Sequence, residues 1–336
     1  MLTKSYFRII NILLTALLEK RVIFLYILTL HFYVSYLSAG SSNATKEIII
    51  KNHVGTKNGQ VGFKVLEDGS RWVGLSALAI DAKGNIYIAD NINNRIQKFD
   101  KKGRFLSKIN IHIEKKSWQQ IIDDLSVDNA DNLYVASRHE GKIDKYSPER
   151  KLLQSINLDD KDIYWDEKKG WVRGAVQIER ITVDATGNIY LQGVHELIKF
   201  MPDGKIERKW PLGDYIGTLV LDEKGNLYMI EDGKTVKKYD INGNLAAQVK
   251  CGELYSWLEK GKCLIPYYID KNGFLYWFEK NGTVVVKADK QRKRVAEYNI
   301  GPFFIYKNTS KFDGNGNFYI LDNSETKFWI EKIVFK

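Results

Sequence analysis

One sequence phrase occurs six times, each copy is followed by a third strand and a second turn, and the chain is rich in aromatic side chains; together these predict an all-β fold, a six-bladed β-propeller. The copies read ALAIDAKGNIYIAD, LSVDNADNLYVAS, ITVDATGNIYLQG, LVLDEKGNLYMIE, YYIDKNGFLYWFE and SKFDGNGNFYILD. Each is an apolar strand, an Asp-x-x-Gly-Asn turn and a second strand that opens apolar-Tyr, at Tyr87, Tyr134, Tyr190, Tyr228, Tyr276 and Tyr319. An Asp at the head of a tight turn accepts hydrogen bonds from the amides ahead of it, while Gly and Asn tolerate the positive φ that the hairpin needs. Asp131 replaces the Gly in the second copy and Phe274 replaces the Asn in the fifth. The 19 Tyr, 15 Phe and 8 Trp suit pleated, half-buried surfaces.

The elements follow in chain order. Lys4, Arg8, Lys20 and Arg21 precede VIFLYILTLHFYVSYLSA, an uncharged run from Val22, and small residues follow at Ser38, Ala39 and Gly40. This is the layout of an export signal, with an apolar helix as its central part. The run of about 18 residues is also at the short limit of a membrane span, so a retained signal anchor competes with a cleaved signal peptide. Residues 1–45 are therefore set apart as signal peptide or signal anchor. Basic residues ahead of the apolar run place the remainder outside the cytoplasm: secreted, periplasmic or anchored.

Residues 46–336 are expected to form one domain, although 336 residues alone would suggest about two. After each hairpin come RIQKFDKKGRFL, KIDKYSPERKLL, LIKFMPDGKIER, VKKYDINGNLAA and VVVKADKQRKRV, which supply third and fourth strands. The sixth copy reaches only a third strand, FWIEKIVFK. The segment EIIIKNHVG, Glu47 to Gly55, stands ahead of the first repeat and is the expected fourth strand of the last blade, which would close the ring.

The repeats resemble the NHL repeat, above all in DAKGNIYIADNINNRIQKFDKKGRFLSKI, which carries the Asp, Gly-Asn, Tyr, Ala-Asp, Asn-Arg-Ile and Phe-Asp-x-x-Gly elements together. The resemblance runs over roughly residues 47 to 336 and implies a six-bladed propeller. It implies no reaction, because NHL-type propellers include an amidating lyase, binding platforms and signalling ectodomains, and related folds include gluconolactonase-like hydrolases. Within the NHL pattern Asp90 and Arg95 read as residues that lock a turn.

Repeat spacing predicts the working face. From the hairpin Tyr to the second turn the distance stays between 14 and 16 residues, whereas from that turn to the next Asp it ranges from 18 to 34. The variable part is the link from each outer strand to the next inner strand, and variable loops on a fixed scaffold are where binding resides. The longest link, INLDDKDIYWDEKKGWVRGAVQIER, offers Trp171, Arg173, Glu179 and Arg180, and the element before the first inner strand offers Arg71 and Trp72. Asp124 and Tyr267 stand at the start of other inner strands and are expected to face the channel with them. Trp with Arg at a channel mouth suits a peptide, a sugar or a carboxylate.

Cys251 and Cys263 fall in one link, twelve residues apart, and an exported chain favours a disulfide between them. His139 and His195 occupy equivalent positions in neighbouring blades, on the order of 14 Å apart, too far to share a metal unless their loops bend inward. No nucleophile elbow, phosphate loop or HExxH is present. No catalytic residue and no metal ligand is assigned, and no cofactor is expected, with a Ca or Mg ion in the channel as the open alternative. The formal charge of +10 falls to about +7 without residues 1–45. Outside the cytoplasm that charge does not indicate nucleic acid. The expectation is a monomeric, non-catalytic platform for a protein, peptide or glycan ligand, bound to the membrane if the N-terminal segment is retained. The alternative is a metal-dependent lyase or hydrolase of the gluconolactonase-like or amidating-lyase type.

Overall fold

The computed structural model describes residues 44–65, 72–111, 122–138, 140–158, 165–166, 170–171, 178–193, 196–211, 220–222, 225–231, 235–250, 267–279, 283–289, 293–300 and 309–336. The expected signal segment, its apolar helix, and the Cys251–Cys263 pair lie outside the described residues. Residues 44–336 form one compact unit. Its regular structure among the described residues is all β, in six four-stranded antiparallel sheets and two short ribbons.

Blade 1 consists of Leu75–Ile80, Ile86–Asp90, Arg95–Phe99 and Phe105–Asn110, from inner to outer strand. Blade 2 is Asp124–Val127, Leu133–Ser137, Lys142–Tyr146 and Leu152–Asn157. Blade 3 is Arg180–Val183, Ile189–Gln192, Glu196–Phe200 and Ile206–Pro211. Blade 4 is Val220–Leu221, Leu227–Glu231, Thr235–Tyr239 and Leu245–Lys250, and blade 5 is Tyr268–Ile269, Leu275–Glu279, Val284–Ala288 and Arg294–Asn299. Blade 6 takes Ser310–Phe312, Phe318–Asn323 and Lys327–Phe335 from the end of the chain, and its outermost strand is Ala44–His53 from the beginning, antiparallel to Lys327–Phe335.

The repeated phrase builds a closely similar polar knot in every blade, without the Asn side chain in blade 5, where Phe274 stands. In blade 1, Asp81 Oδ1 accepts the amides of Lys83 and Asn85 at 3.0 and 2.8 Å, and Oδ2 accepts Asn85 Nδ2 at 2.8 Å and the Tyr87 hydroxyl at 3.3 Å. The Tyr-to-Asp bond recurs in all six blades at 3.0 to 3.4 Å. Burial, reinforced by the adjacent carboxylate, pushes the phenols of Tyr87, Tyr134, Tyr190, Tyr276 and Tyr319 well above their usual range. Directly across on the third strand stands a lysine: Tyr87 pairs with Lys98, Tyr134 with Lys145, Tyr190 with Lys199, Tyr228 with Lys238, Tyr276 with Lys287 and Tyr319 with Lys332. Each ammonium lies over the ring of its tyrosine, 4.8 to 6.0 Å from the centroid. Contacts of this kind contribute about 0.5–1 kcal/mol each where exposed and more when desolvated. Six of the basic residues behind the net charge are thus internal parts of the blades.

The departures from the phrase show its backbone requirement. Gly84, Gly187, Gly225, Gly273 and Gly316 all have φ between +74° and +87°, and Asp131, in the same place in blade 2, adopts +62°. In the second turn Gly103, Gly204 and Gly243 have φ between +77° and +84°, and Arg150 adopts +68° where blade 2 has no Gly. The left-handed conformation costs a non-Gly residue about 1–2 kcal/mol, and Asp can recover part of this locally where Arg cannot.

The turn residues Asp90 and Arg95 fasten blade 1 to the segment that follows Ala44–His53. Arg95 donates to Asp90 Oδ2 at 2.8 Å and to the carbonyls of Thr56, Lys57 and Gln60 at 2.7 to 2.9 Å. Asp90 Oδ1 accepts the Gly62 amide at 2.8 Å, and both side chains are buried. Apolar cores fill the spaces between blades, for example Leu78, Ile86, Ile88 and Phe99 of blade 1 against Tyr319, Leu321, Phe328 and Ile330 of blade 6.

Candidate functional site

The inner strands run in the same direction around a central cavity of about 160 Å³ to which every blade contributes. Its wall has a simple origin in the register. The inner-strand residue paired with each hairpin Tyr is Ala79, Ser126, Thr182, Val220, Tyr268 and Lys311 in blades 1 to 6. All six of these residues line the cavity. They stand two residues before the turn Asp, at a position where the repeat carries six different residue types.

Toward the end where the inner strands begin, two side-chain contacts span the ring. Lys311 of blade 6 donates to Asp124 of blade 2 at 2.8 and 3.1 Å, past the inner strand of blade 1. Arg180 of blade 3 donates to the hydroxyl of Tyr267, at the head of blade 5, at 2.6 Å. The Arg180 guanidinium also lies over the Tyr267 ring, 4.5 Å from its centroid. Tyr267 is itself held edge-on against Phe278, with centroids 4.8 Å apart. Nearby, Tyr268 stacks on Phe312 at 4.9 Å and donates its hydroxyl to the Asp313 carbonyl at 2.9 Å.

The two contacts differ in kind. Asp124 is fully buried, and its oxygens accept the amides of Leu125 and Ile181, both at 2.9 Å, as well as the ammonium. These three donors make Asp124 a junction between blades 2, 3 and 6. Arg180 is half-buried and has no carboxylate at ion-pair distance among the described residues.

Of the other expected site residues, Glu179 directly precedes Arg180, and its amide donates to the Gln192 carbonyl at 2.8 Å; it does not line the cavity. The backbones of Trp72 and Trp171 fall in the two ribbons, Lys64–Val65 with Trp72–Val73 and Trp165–Asp166 with Gly170–Trp171. Both ribbons stand just ahead of inner strands. Arg71 and Arg173, and likewise His139 and His195, lie outside the described residues. Asp123, next to Asp124, accepts the Arg138 amide at 2.7 Å and its guanidinium at 2.9 Å. Burial pushes its carboxyl above the usual carboxylate range despite the pull of Arg138. Sequence reasoning missed Lys311, Ser126 and Thr182, although their shared offset from the turn Asp marks them.

Among the described residues no group of three or more His, Cys, Asp or Glu is placed to hold a metal ion. Ca²⁺ takes six to eight oxygen ligands, and no carboxylate stands among the described residues that line the cavity. The described residues do not fit a Ca or Mg site.

No protein-family model matches the chain, and no curated protein sequence matches it. Solved structures do resemble it. Catalytically inactive virginiamycin B lyase from Staphylococcus aureus with quinupristin matches at 11% identity over 87% of this chain and 99% of that one, with a TM-score of 0.52. A selenomethionine-substituted form of the same lyase gives 11% identity, the same coverage and a TM-score of 0.51. A gluconolactonase from Xanthomonas campestris gives 13% identity over 77% of this chain and 86% of that one, with a TM-score of 0.47. At these identities the likeness to virginiamycin B lyase bears on the fold alone, a six-bladed β-propeller, and the chemistry has to be read from the site.

Proposed function

We propose that this chain is an exported or membrane-anchored propeller that acts as a non-catalytic binding platform, taking a peptide, protein or glycan on the face where the inner strands begin. The observation that carries this reading is the meeting of Arg180 and Tyr267 at that end of the central cavity, brought there by blades 3 and 5. A guanidinium stacked on an aromatic ring is a rigid, amphipathic contact of the kind that dominates binding surfaces. Around it the acidic groups are engaged with protein partners, Asp124 with Lys311 and Asp123 with Arg138, which suits a rigid rim better than proton transfer.

The test is to screen the full-length chain on peptide and glycan arrays in the presence of a chelator, beside Arg180→Ala. Retention of a ligand class by the parent chain and its loss in the variant support the reading. Turnover of a ligand that requires a stoichiometric divalent ion would replace it with a metal-dependent lyase or hydrolase. Export is checked separately by N-terminal sequencing of the fractionated protein: a new terminus near residue 41 indicates cleavage, Met1 in the membrane fraction indicates an anchor, and a cytosolic protein contradicts both.

A further inference from the structure

We propose that the central channel binds a carboxylate carried on a compact apolar body, with Arg180 holding the charge. This rests on the binding-platform reading and supplies its ligand chemistry.

Three features carry the inference. The first is charge. Two cationic side chains line the cavity, Arg180 and Lys311, and Asp124 neutralises only Lys311. Arg180 uses one of its N–H groups on the neutral Tyr267 hydroxyl, and no carboxylate faces it among the described residues. A half-buried guanidinium without a counter-ion is costly, and its planar fork matches a carboxylate in two parallel hydrogen bonds. The Tyr267 ring beneath it fixes the plane of that fork.

The second feature is an arc of donors. Ser126 of blade 2 and Thr182 of blade 3 face the same cavity, and their hydroxyls make no hydrogen bond among the described residues. Hydroxyls of this kind turn freely to donate to an anion. The third is the apolar part of the wall: Ala79 and Ile80, Val220 and Leu221, and Phe312. The volume of about 160 Å³ is close to the roughly 150 Å³ of an engineered apolar cavity that accepts benzene, so the body is of single-ring size. A cation would meet an uncompensated Arg180.

The experiment titrates the full-length chain with benzoate, benzyl alcohol and benzylamine, followed by calorimetry and by methyl NMR. Benzoate is expected to bind, benzyl alcohol at least tenfold more weakly, and benzylamine not measurably, in line with the strength of a hydrogen bond to a charged group. Shifts are expected in the methyls of Ala79, Ile80, Leu125, Ile181, Val220 and Leu221. Arg180→Gln should weaken benzoate at least tenfold without changing benzyl alcohol, and Arg180→Lys, which keeps the charge and loses the fork, should fall between. N-acetyl-leucine tests the source: tighter binding than benzoate assigns the carboxylate to a peptide end, weaker binding to a free small acid. Equal affinity for benzoate and benzyl alcohol would overturn the charge assignment while leaving the channel a binding site. Benzoate shifts outside the channel, unchanged benzoate binding in Arg180→Gln, or no binding of any probe would overturn the proposal, and the array screen then judges the platform reading independently.

Discussion

Replacing Lys311 with Met should destabilise the ring by about 3 kcal/mol. Asp124 is fully buried and Lys311 is 17% exposed, so the substitution strips the counter-ion from a carboxylate that cannot reach water. Breaking a buried pair in this way typically costs 3–5 kcal/mol. The amides of Leu125 and Ile181 still donate to Asp124, which places the cost at the lower end of that range. Asp124→Asn should cost less, about 2 kcal/mol, because the Lys311 ammonium keeps a route to solvent through the channel. The double variant Asp124→Asn/Lys311→Met should be more stable than the sum of the single changes by about 1–2 kcal/mol, as expected of residues in direct contact. The assay is urea unfolding followed by tryptophan fluorescence, with thermal midpoints as a check; about 2 °C per kcal/mol for a domain of this size gives a fall near 6 °C. A Lys311→Met chain within about 0.5 kcal/mol of the parent, with additive single changes, would mean that Asp124 does not depend on Lys311 for its charge balance.

Three further outcomes follow from the blades. The hairpin tyrosines have phenols raised above the value of about 10 that they take in the unfolded chain, so the stability they supply is present below that pH and is lost as pH rises past it; absorbance at 295 nm should show them ionising together with alkaline unfolding rather than before it. Arg95→Met should cost about 3–5 kcal/mol in urea unfolding, because it leaves Asp90 buried without its cation and frees three carbonyls of the segment that follows Ala44–His53. Arg150→Gly should raise stability by about 0.5–1 kcal/mol, since it removes a left-handed non-Gly residue, whereas Gly103→Ala should lower it by at least ~2 kcal/mol because the added Cβ would run into the Ile49 carbonyl.

The blade architecture was legible because the turn chemistry is local. Asp, Gly-Asn and Tyr sit within seven residues of one another, and the hydrogen bonds from Tyr87 and Asn85 to Asp81 close inside that window. The lysines over the tyrosine rings recur at one place in the third strand but were not singled out, because their role depends on cross-strand register, which the sequence states only indirectly. The channel wall was harder still. Arg180 and Tyr267 were picked out because they stand at inner-strand starts, but their contact joins residues 87 apart across the ring. The Lys311–Asp124 contact joins residues 187 apart, and a reading of links between strands looked past Lys311 because it lies within a strand. The position two before each turn Asp, the least uniform place in a uniform repeat, was the available signal.

The most direct measurement is a crystal structure of the full-length chain with N-acetyl-leucine bound. The account predicts the carboxylate at hydrogen-bonding distance from the Arg180 guanidinium, near the Ser126 and Thr182 hydroxyls, with the leucine side chain against Val220 and Leu221. Ligand density on the outer rim of the blades, with the channel left to solvent, would contradict it.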